Sequence, residues 1–220
     1  IYDLVNSGEE FPPHMLIAEP TDNMPEIGSK GILEYIFTFN GVTTHSSQPV
    51  EGGSSNKNAV KFLNKMMALE DELRSEKYDL FSVPRSTMNI GIIEGGTSIN
   101  KVPAKTTIYL DFRICDSAEQ YQRIRDYTDE AIKEFDASYV IINDVPSFIN
   151  NGPKVSWYEE ISGKKAETGN GITEASFFGG DSLIIGPGPN TAHQFNEYIT
   201  EESLNKSADI YLAAIKRECL

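Results

Sequence analysis

The sequence predicts an α/β protein in which a ferredoxin-like module is inserted into a second α/β domain. Strand and helix patterns follow one another in the order β-α-β-β-α-β between residues 34 and 142, which is the order of a split βαβ sandwich. After Pro146 the pattern changes to loops, a short apolar run and one final helix. We therefore expect the module at 30–145 and the two pieces of the other domain at 1–29 and 146–220.

Alternation and helical periodicity identify the elements of the module. Aromatic side chains at every second position predict a strand over 34–42, and three further runs predict the other strands: TMNIGII at 87–93, TTIYLDFRI at 106–114 and YVII at 139–142. Apolar residues at helical spacing predict two helices that cover one face of the sheet. Their stripes are Ala59, Phe62, Leu63, Met66, Met67 and Leu73 in the first helix, and Tyr121, Ile124, Thr128, Ala131, Ile132 and Phe135 in the second.

The flanking pieces carry shorter patterns. Residues 1–10 look like the end of a surface helix, MLIAEPT (15–21) like a buried strand that runs into a turn, and LII (183–185) like a second short strand. Thr200, which two glutamates follow, is typical of the N-cap of the final helix. The residues expected to share one side of that helix are Leu204, Ala208, Tyr211, Leu212 and Ile215.

Composition limits the kinds of partner. The 220 residues include 33 acidic and 19 basic side chains, which give a formal net charge of −14. This charge argues against a nucleic acid or an anionic membrane surface as partner, and it fits a protein that attracts divalent cations. No apolar run approaches the roughly 20 residues of a membrane span, and no signal peptide is visible. The two cysteines, Cys115 and Cys219, lack metal-ligand spacing, so we expect reduced thiols in a cytoplasmic protein.

Five polar side chains stand where strands or tight loops end. His193, one of three histidines, is held by GPGPNTAHQ after the LII strand, and Glu19 follows the strand in MLIAEPT. His45 follows the first strand of the module, Asn100 ends the turn EGGTSIN, and Arg113 lies on the polar face of LDFR. Each has an ordinary structural explanation, as a turn residue, a surface acid or a member of an ion pair. Rigid loops at strand ends are also where α/β proteins place ligands and catalytic groups.

Taken in order, five stretches resemble the M20 family of metallopeptidases and N-acyl amino acid deacylases, which includes acetylornithine deacetylases and succinyl-diaminopimelate desuccinylases. The stretches are IAEPT, GVTTHSSQPVEGGSSNKNAV, NIGIIEGGTSINKVPAKTTIYLDFR, GITEASFF and IIGPGPNTAHQFNEY, and they span nearly the whole chain. The resemblance implies a zinc-peptidase-like catalytic α/β domain, present in part. The ferredoxin-like module is then a lid that also forms a homodimer.

The resemblance implies roles for the polar residues and a small-molecule N-acyl amino acid as substrate. Glu19 matches a carboxylate ligand of one zinc ion and His193 an imidazole ligand of a second, with cobalt or manganese as possible replacements. His45 matches a lid histidine that polarises the scissile carbonyl in the partner subunit's site. Asn100 and Arg113 match groups that bind the substrate's carboxylate, for which a guanidinium fork is well suited. The implied activity is amide hydrolysis of deacetylase or desuccinylase type, in amino-acid biosynthesis.

Two parts of the resemblance are less complete. Thr173, in GITEASFF, lies where the family has a substrate-contacting loop. In the family an HxD histidine, a bridging aspartate and a Glu-Glu pair precede the EPT strand, and none stands there in this sequence. Glu9 and Glu10 come too late to replace the pair. We therefore expect a family member that lacks the N-terminal part of its catalytic domain and is inactive as this chain alone.

Two other classes of function stay open. The chain could be a catalytically inactive dimerisation or binding unit, or an amino-acid-binding regulatory module, since ferredoxin-like units often have that role. Zinc content would separate these two classes from the enzyme. A serine hydrolase built on HSSQP is excluded, because neither serine stands in a nucleophile elbow such as G-x-S-x-G.

Overall fold

The computed structural model describes residues 7–8, 11–12, 14–116, 118–169, 171–178 and 181–219. The helix end expected over 1–10 lies almost entirely outside these residues, as do Glu9, Glu10 and the side chain of Cys219. The chain forms two compact units. One contains the described residues of 1–29 and 148–220, and the other contains residues 30–147.

Eight strands and five helices make up the described part of the chain. In chain order they are β1 (Leu16–Ile17), β2 (Gly28–Ser29), β3 (Gly31–Asn40), α1 (Ser55–Ser75), β4 (Thr87–Gly95), β5 (Lys105–Ile114), α2 (Gln120–Ile132), β6 (Ala137–Val145), β7 (Phe148–Ile149), α3 (Val155–Ser162), α4 (Ala175–Phe178), β8 (Leu183–Ile184) and α5 (Glu201–Cys219).

The unit of residues 30–147 is the ferredoxin-like sandwich that the order of patterns predicts. Its sheet has the strand order β4-β5-β3-β6, and every neighbouring pair is antiparallel. The two central strands pair along their whole length, from Gly31 opposite Ile114 to Asn40 opposite Lys105. β3 therefore begins at Gly31, before the predicted start at residue 34. Its hydrogen-bonded ladder with β5 continues beyond the alternating aromatic residues that predicted the strand.

The core of this unit fills the space between one face of the sheet and the two helices. Tyr35, Phe37 and Phe39 alternate along β3 and are fully buried. Burying each such side chain stabilises the fold by roughly 1.5–3 kcal/mol. Met67, expected in the stripe of α1, is exposed, because Leu69 continues the buried helical spacing instead. The helix residues buried in this cluster are Ala59, Phe62, Leu63, Met66, Leu69 and Leu73 of α1 and Ile124 and Ala131 of α2.

Among the described residues of this unit, no helix covers the other face of the sheet, which presents polar groups together with the exposed apolar side chains of Ile92, Val140 and Ile142. On β5, Leu110 and Phe112 are buried towards the helices, whereas Asp111 and Arg113 point the other way and are only partly buried. This arrangement follows the period of two that the LDFR stretch shows in the sequence. Arg113 is therefore available on the open face of the sheet.

The other unit is built on two short strand pairs. β1 lies parallel to β8, with Leu16 opposite Leu183 and Ile17 opposite Ile184, and β2 pairs with β7 in antiparallel orientation. Helices α3 and α5 cover the first pair, and the buried residues of this cluster are Ile27, Tyr158, Leu183, Ile185, Ile210 and Ala214. In the described part of the chain, no helix combines the length and the apolar composition that crossing a bilayer requires.

The buried face of α5 differs from the expected one. Leu204, Leu212 and Ile215 are 49, 50 and 55% exposed. The helix instead turns two serines inward, and both bind the buried side chain of Asn23: its Nδ2 donates to Oγ of Ser203 at 2.7 Å, and Oγ of Ser207 donates to its Oδ1 at 2.5 Å. These two serines share the buried face of α5 with Ile210 and Ala214. The prediction from apolar periodicity was therefore wrong for the exposed residues Leu204, Ala208, Leu212 and Ile215. Tyr211, from the same predicted set, is partly buried and packs against the apolar cluster.

Candidate functional site

Glu19 and His193 follow two strands that lie side by side. Because β1 and β8 are parallel neighbours, the segments after Ile17 and after Ile184 leave the sheet at the same end. A Cβ at Gly186 would overlap the carbonyl oxygen of Glu19, so a glycine is needed for the two segments to run this close together. Glu19 and His193 are both exposed.

The loop that carries His193 is held by hydrogen bonds at both ends. The N–H of Asn23 donates to the carbonyl of Gly186 at 2.7 Å, and the N–H of Thr200 donates to the carbonyl of Gly188 at 2.9 Å. His193 has a positive φ of 65°, and its N–H donates to Oε2 of Glu197 at 3.3 Å. Among the described residues, none hydrogen-bonds to its imidazole, so the ring is free to bind a ligand.

A third acid, which sequence reasoning missed, lies in the same region. Glu26 is partly buried, and burial, followed by the carboxylates of Glu167 and Glu19, raises the pKa of its carboxyl group above the usual value. A Cβ at Gly169 would overlap that carboxylate. Glu26 stands in an irregular segment, and no periodicity or motif in the sequence marks it. Mutually repelling carboxylates favour a bound cation, which would relieve their repulsion.

The donor set of this region is incomplete for a catalytic zinc ion. Carboxylate oxygen and imidazole nitrogen are suitable zinc ligands, but a catalytic site usually takes three of them from the protein. Within the described ranges, no group of three or more His, Cys, Asp or Glu side chains is placed to hold a metal ion. Glu19 and His193 therefore do not form a zinc site by themselves.

His45 and Asn100 lie on two loops that are bonded to each other. The N–H of Ser46 donates to the carbonyl of Asn100 at 3.0 Å, and His45 forms an isolated bridge with Lys101. Nδ1 of His45 lies 2.7 Å from Oγ of Ser47 and accepts from the N–H of Ser47 at 3.3 Å. Because Nδ1 is an acceptor, a neutral imidazole carries its proton on Nε2 and can donate from there.

Arg113 lies at the other end of the sheet. Its guanidinium is paired with Asp111 on the same strand. Asn40 and Lys105 mark the end of the sheet near His45 and Asn100, and Arg113 is eight positions after Lys105 on β5. At a rise of about 3.3 Å per residue, those eight steps span about 26 Å. One copy of the unit therefore does not bring Arg113 together with His45 and Asn100.

Thr173 has a local structural contact. Its Oγ1 accepts a hydrogen bond from the N–H of Ala175 at 3.2 Å, and its carbonyl accepts from the N–H of Ser176 at 3.2 Å. These contacts are those of a residue that caps the short helix α4. Thr173 is partly buried. A substrate that contacts its hydroxyl would therefore share that group with the N–H of Ala175.

Sequence comparison relates this chain to deacetylases. It is 28% identical over 226 aligned residues to an acetylornithine deacetylase of Vibrio campbellii, an alignment that covers 94% of this chain and 58% of the relative. An acetylornithine deacetylase of Photorhabdus laumondii is 29% identical, with coverage of 95% and 57%. The chain thus spans a little over half the length of the curated relatives it matches.

Structural comparison gives the same fold. A tripeptidase of Staphylococcus aureus superposes with a TM-score of 0.70 at 24% identity, covering 96% of this chain and 58% of that one. Aminopeptidase PepT of Bacillus cereus superposes with a TM-score of 0.68 at 20% identity, with coverage of 92% and 56%.

The family assignment comes from the inserted unit. The profile of the peptidase dimerisation domain of the M20 family matches residues 27–140, just over half of the chain. The match covers nearly all of the βαββαβ sandwich, including the loops of His45 and Asn100 and the strand of Arg113. Because that match extends over most of a unit whose fold agrees with it, this protein belongs to the M20 peptidase family.

Proposed function

We propose that this chain is part of a metal-dependent amidohydrolase that removes the acyl group from an N-acyl amino acid. The observation that carries the proposal is the parallel pairing of β1 with β8, after which the segments that contain Glu19 and His193 leave the sheet at the same end. The sequence similarity to acetylornithine deacetylases over 94% of the chain supports a deacetylase or desuccinylase. A cytoplasmic location and a place in amino-acid biosynthesis remain predictions.

In this proposal Glu19 and His193 each contribute one ligand to a dinuclear zinc centre, with cobalt or manganese as alternatives. A metal bound there would polarise the substrate and lower the pKa of a bound water. The loop between Gly186 and Thr200 would hold His193 in place, so that little conformational entropy is lost on binding. The remaining ligands and the general base have to come from residues other than these two.

His45 is proposed to donate a hydrogen bond from Nε2 to the oxygen of the scissile carbonyl. The contacts of Ser47 to Nδ1 favour the tautomer that can do so. A donor aimed at the oxygen stabilises the negative charge that develops there during attack on the amide. Asn100, on the adjoining loop, is proposed to bind the substrate's carboxylate, and Thr173 to contact the substrate.

The positions of these groups support a homodimer. A small substrate cannot reach Arg113 and the His45 and Asn100 loops of one subunit, because the length of β5 separates them. A site that uses all three would take Arg113 from one subunit and His45 and Asn100 from the other. The match to a peptidase dimerisation domain supports assembly through residues 30–147. Edge strand β4 is suited to such a contact, since it exposes Ile92 and Ile93.

A second candidate is a dimerisation or amino-acid-binding unit without catalytic activity. The observation that favours it is the lack, among the described residues, of a group of three or more metal-ligating side chains. An experiment on the complete protein that contains this chain separates the two candidates. N-acetyl and N-succinyl amino acids, with a tripeptide as a further arm, would be assayed with and without added zinc.

We expect zinc-dependent release of acetate or succinate, and loss of that release in His193→Ala. A matched control is Gln194→Ala, which changes the neighbouring exposed side chain of the same loop. Saturable binding of an amino acid without hydrolysis of any of these compounds would support the non-catalytic unit and contradict the hydrolase. Turnover of the tripeptide alone would contradict the deacylase.

A further inference from the structure

A cavity of about 560 Å³ lies beside the start of α1, within the unit of residues 30–147. It is open to solvent on one side, and three segments line it: residues 46–54, the first two turns of α1, and residues 101–103. None of the residues proposed for catalysis or substrate binding lines it, although Ser46 and Lys101 adjoin His45 and Asn100 in the chain.

Main-chain hydrogen bonds hold the walls of the cavity in place. The N–H of Val42 donates to the carbonyl of Gly53 at 2.7 Å, and the N–H of Val102 donates to the carbonyl of Thr44 at 2.8 Å. The N–H of Ser55 donates to the carbonyl of Pro103, which ties the third segment to the helix. The cavity is therefore formed before any ligand binds, which lowers the entropic cost of binding.

The lining combines positive charge with an apolar part. Lys57 and Lys61 lie one turn apart on the same face of α1, and Lys101 faces the same cavity. Val102 and Val50 contribute the apolar part, with Pro49 and Pro103 beside them.

Three features of these lysines point to an anionic ligand. Among the described residues, no carboxylate forms an ion pair with any of them, although acids outnumber bases by 33 to 19 in the chain. Like charges spaced i, i+4 on a helix destabilise it. Glu51 is the one acid in the lining, so the cavity has a surplus of two positive charges.

We propose that this cavity binds a small organic dianion with two carboxylate groups on a short aliphatic skeleton. The surplus charge of the lining matches a dianion, and the valine and proline side chains match the methylene groups between its carboxylates. Ser46, Ser54 and Asn58 supply further polar groups at the rim.

The test is a titration of the 220-residue chain with glutarate, followed by isothermal calorimetry and by amide chemical shifts. Pentanoate serves as a monoanion of the same chain length, and inorganic phosphate as an anion without a carbon skeleton. We expect saturable glutarate binding that shifts the amides of Ser46, Lys57, Lys61 and Lys101, and that weakens as salt is added. Pentanoate and phosphate should bind at least several-fold more weakly.

A double variant and a matched control separate specific binding from general charge. Lys57→Ala with Lys61→Ala removes two exposed contacts and should weaken glutarate binding about tenfold. Alanine suits a helix, so the variant should fold, which circular dichroism checks. Lys77→Ala removes one exposed lysine outside the cavity and should leave the dissociation constant unchanged.

Four outcomes would overturn the proposal. One is the lack of saturable glutarate binding to the chain. The second is equal affinity of the folded double variant, and the third is chemical-shift changes confined to residues away from the cavity. The fourth is phosphate or pentanoate binding as tightly as glutarate, which would contradict the dicarboxylate class.

Discussion

The guanidinium Nε of Arg113 lies 3.0 Å from Oδ1 of Asp111, its neighbour on the same face of β5. The two side chains are 39% and 27% exposed, so solvent screens the pair. Exposed ion pairs of this kind contribute about 0–1 kcal/mol to stability. The pair therefore orients the guanidinium on the open face of the sheet but contributes little to the free energy of unfolding. A substrate carboxylate could take the place of Asp111 as the partner of Arg113.

Replacing Arg113 with lysine should raise KM in the complete protein with little loss of stability. Lysine keeps the positive charge but loses the planar fork that binds a carboxylate through two hydrogen bonds. Initial-rate kinetics and thermal melting of the same preparations give the two quantities. A large fall in melting temperature at unchanged KM would instead assign Arg113 to a structural ion pair.

His45 should act on a substrate bound mainly by the other subunit. Mixing a His45→Ala subunit with a His193→Ala subunit should restore activity, because a hybrid dimer keeps one site with both histidines intact. Random pairing with independent sites predicts recovery of about one quarter of the wild-type rate, since half of the dimers are hybrids with one good site each. Each variant alone should be inactive. If the mixture recovers no rate although subunit exchange is demonstrated, His45 serves its own subunit.

Replacing Asn23 with glycine should destabilise the unit that contains α5 by about 1–3 kcal/mol, the cost of leaving buried hydrogen-bonding groups unpaired. Glycine tolerates the φ of 58° at this position, so backbone strain does not add to the loss. Urea unfolding followed by Trp157, the one tryptophan of the chain, reports on the same unit.

Leu204→Ala is the matched control, because its side chain lies on the exposed face of α5. It should change stability by no more than about 0.5 kcal/mol. A larger loss from Leu204→Ala than from Asn23→Gly would mean that the apolar periodicity had identified the buried face correctly after all.

The sequence allowed the inserted unit to be predicted better than the rest. Its strands alternate strictly, as Tyr35, Phe37 and Phe39 show, and one covered sheet face produces that pattern directly. The inward position of Ser203 and Ser207 on α5 could not be predicted, because it depends on hydrogen bonds between these serines and Asn23. Glu26 was missed for a related reason, since its environment depends on Glu167, distant in sequence. Periodicity reports apolar burial and carries no signal from polar contacts between distant segments.

Glu76 should make the stability of the ferredoxin-like unit depend on pH. Burial raises the pKa of its carboxyl group, but hydrogen bonds from Arg123 and Gln120 outweigh burial and hold the pKa below the usual 4.5. A lowered folded-state pKa contributes stability above the unfolded value of 4.5, and this contribution is lost as the pH falls through the folded value. Glu76→Gln should therefore lower the melting temperature at pH 7, with a difference that shrinks below pH 4.5.

Near-ultraviolet circular dichroism of the buried tyrosines would follow this melting, since Tyr35 lies in the core of the same unit. Glu72→Gln, at an exposed position of α1, is the control and should leave the melting temperature unchanged at both pH values. If the difference in melting temperature between wild type and Glu76→Gln grows on acidification, the pairing of Glu76 with Arg123 is contradicted.

The 220-residue chain itself should bind zinc at less than one ion per chain and should not hydrolyse N-acyl amino acids. Glu19 and His193 can offer one ligand each, and the described residues contain no group of three or more ligating side chains. A catalytic zinc site usually takes three protein ligands, so an ion held by these two would exchange readily. Equilibrium dialysis with metal analysis measures the stoichiometry, and His193→Ala should lower it further. Stoichiometric zinc together with measurable amide hydrolysis would contradict this expectation. It would mean that further groups supply the missing ligands and the base. Asp181, Glu9 and Glu10 would then be the first residues to mutate.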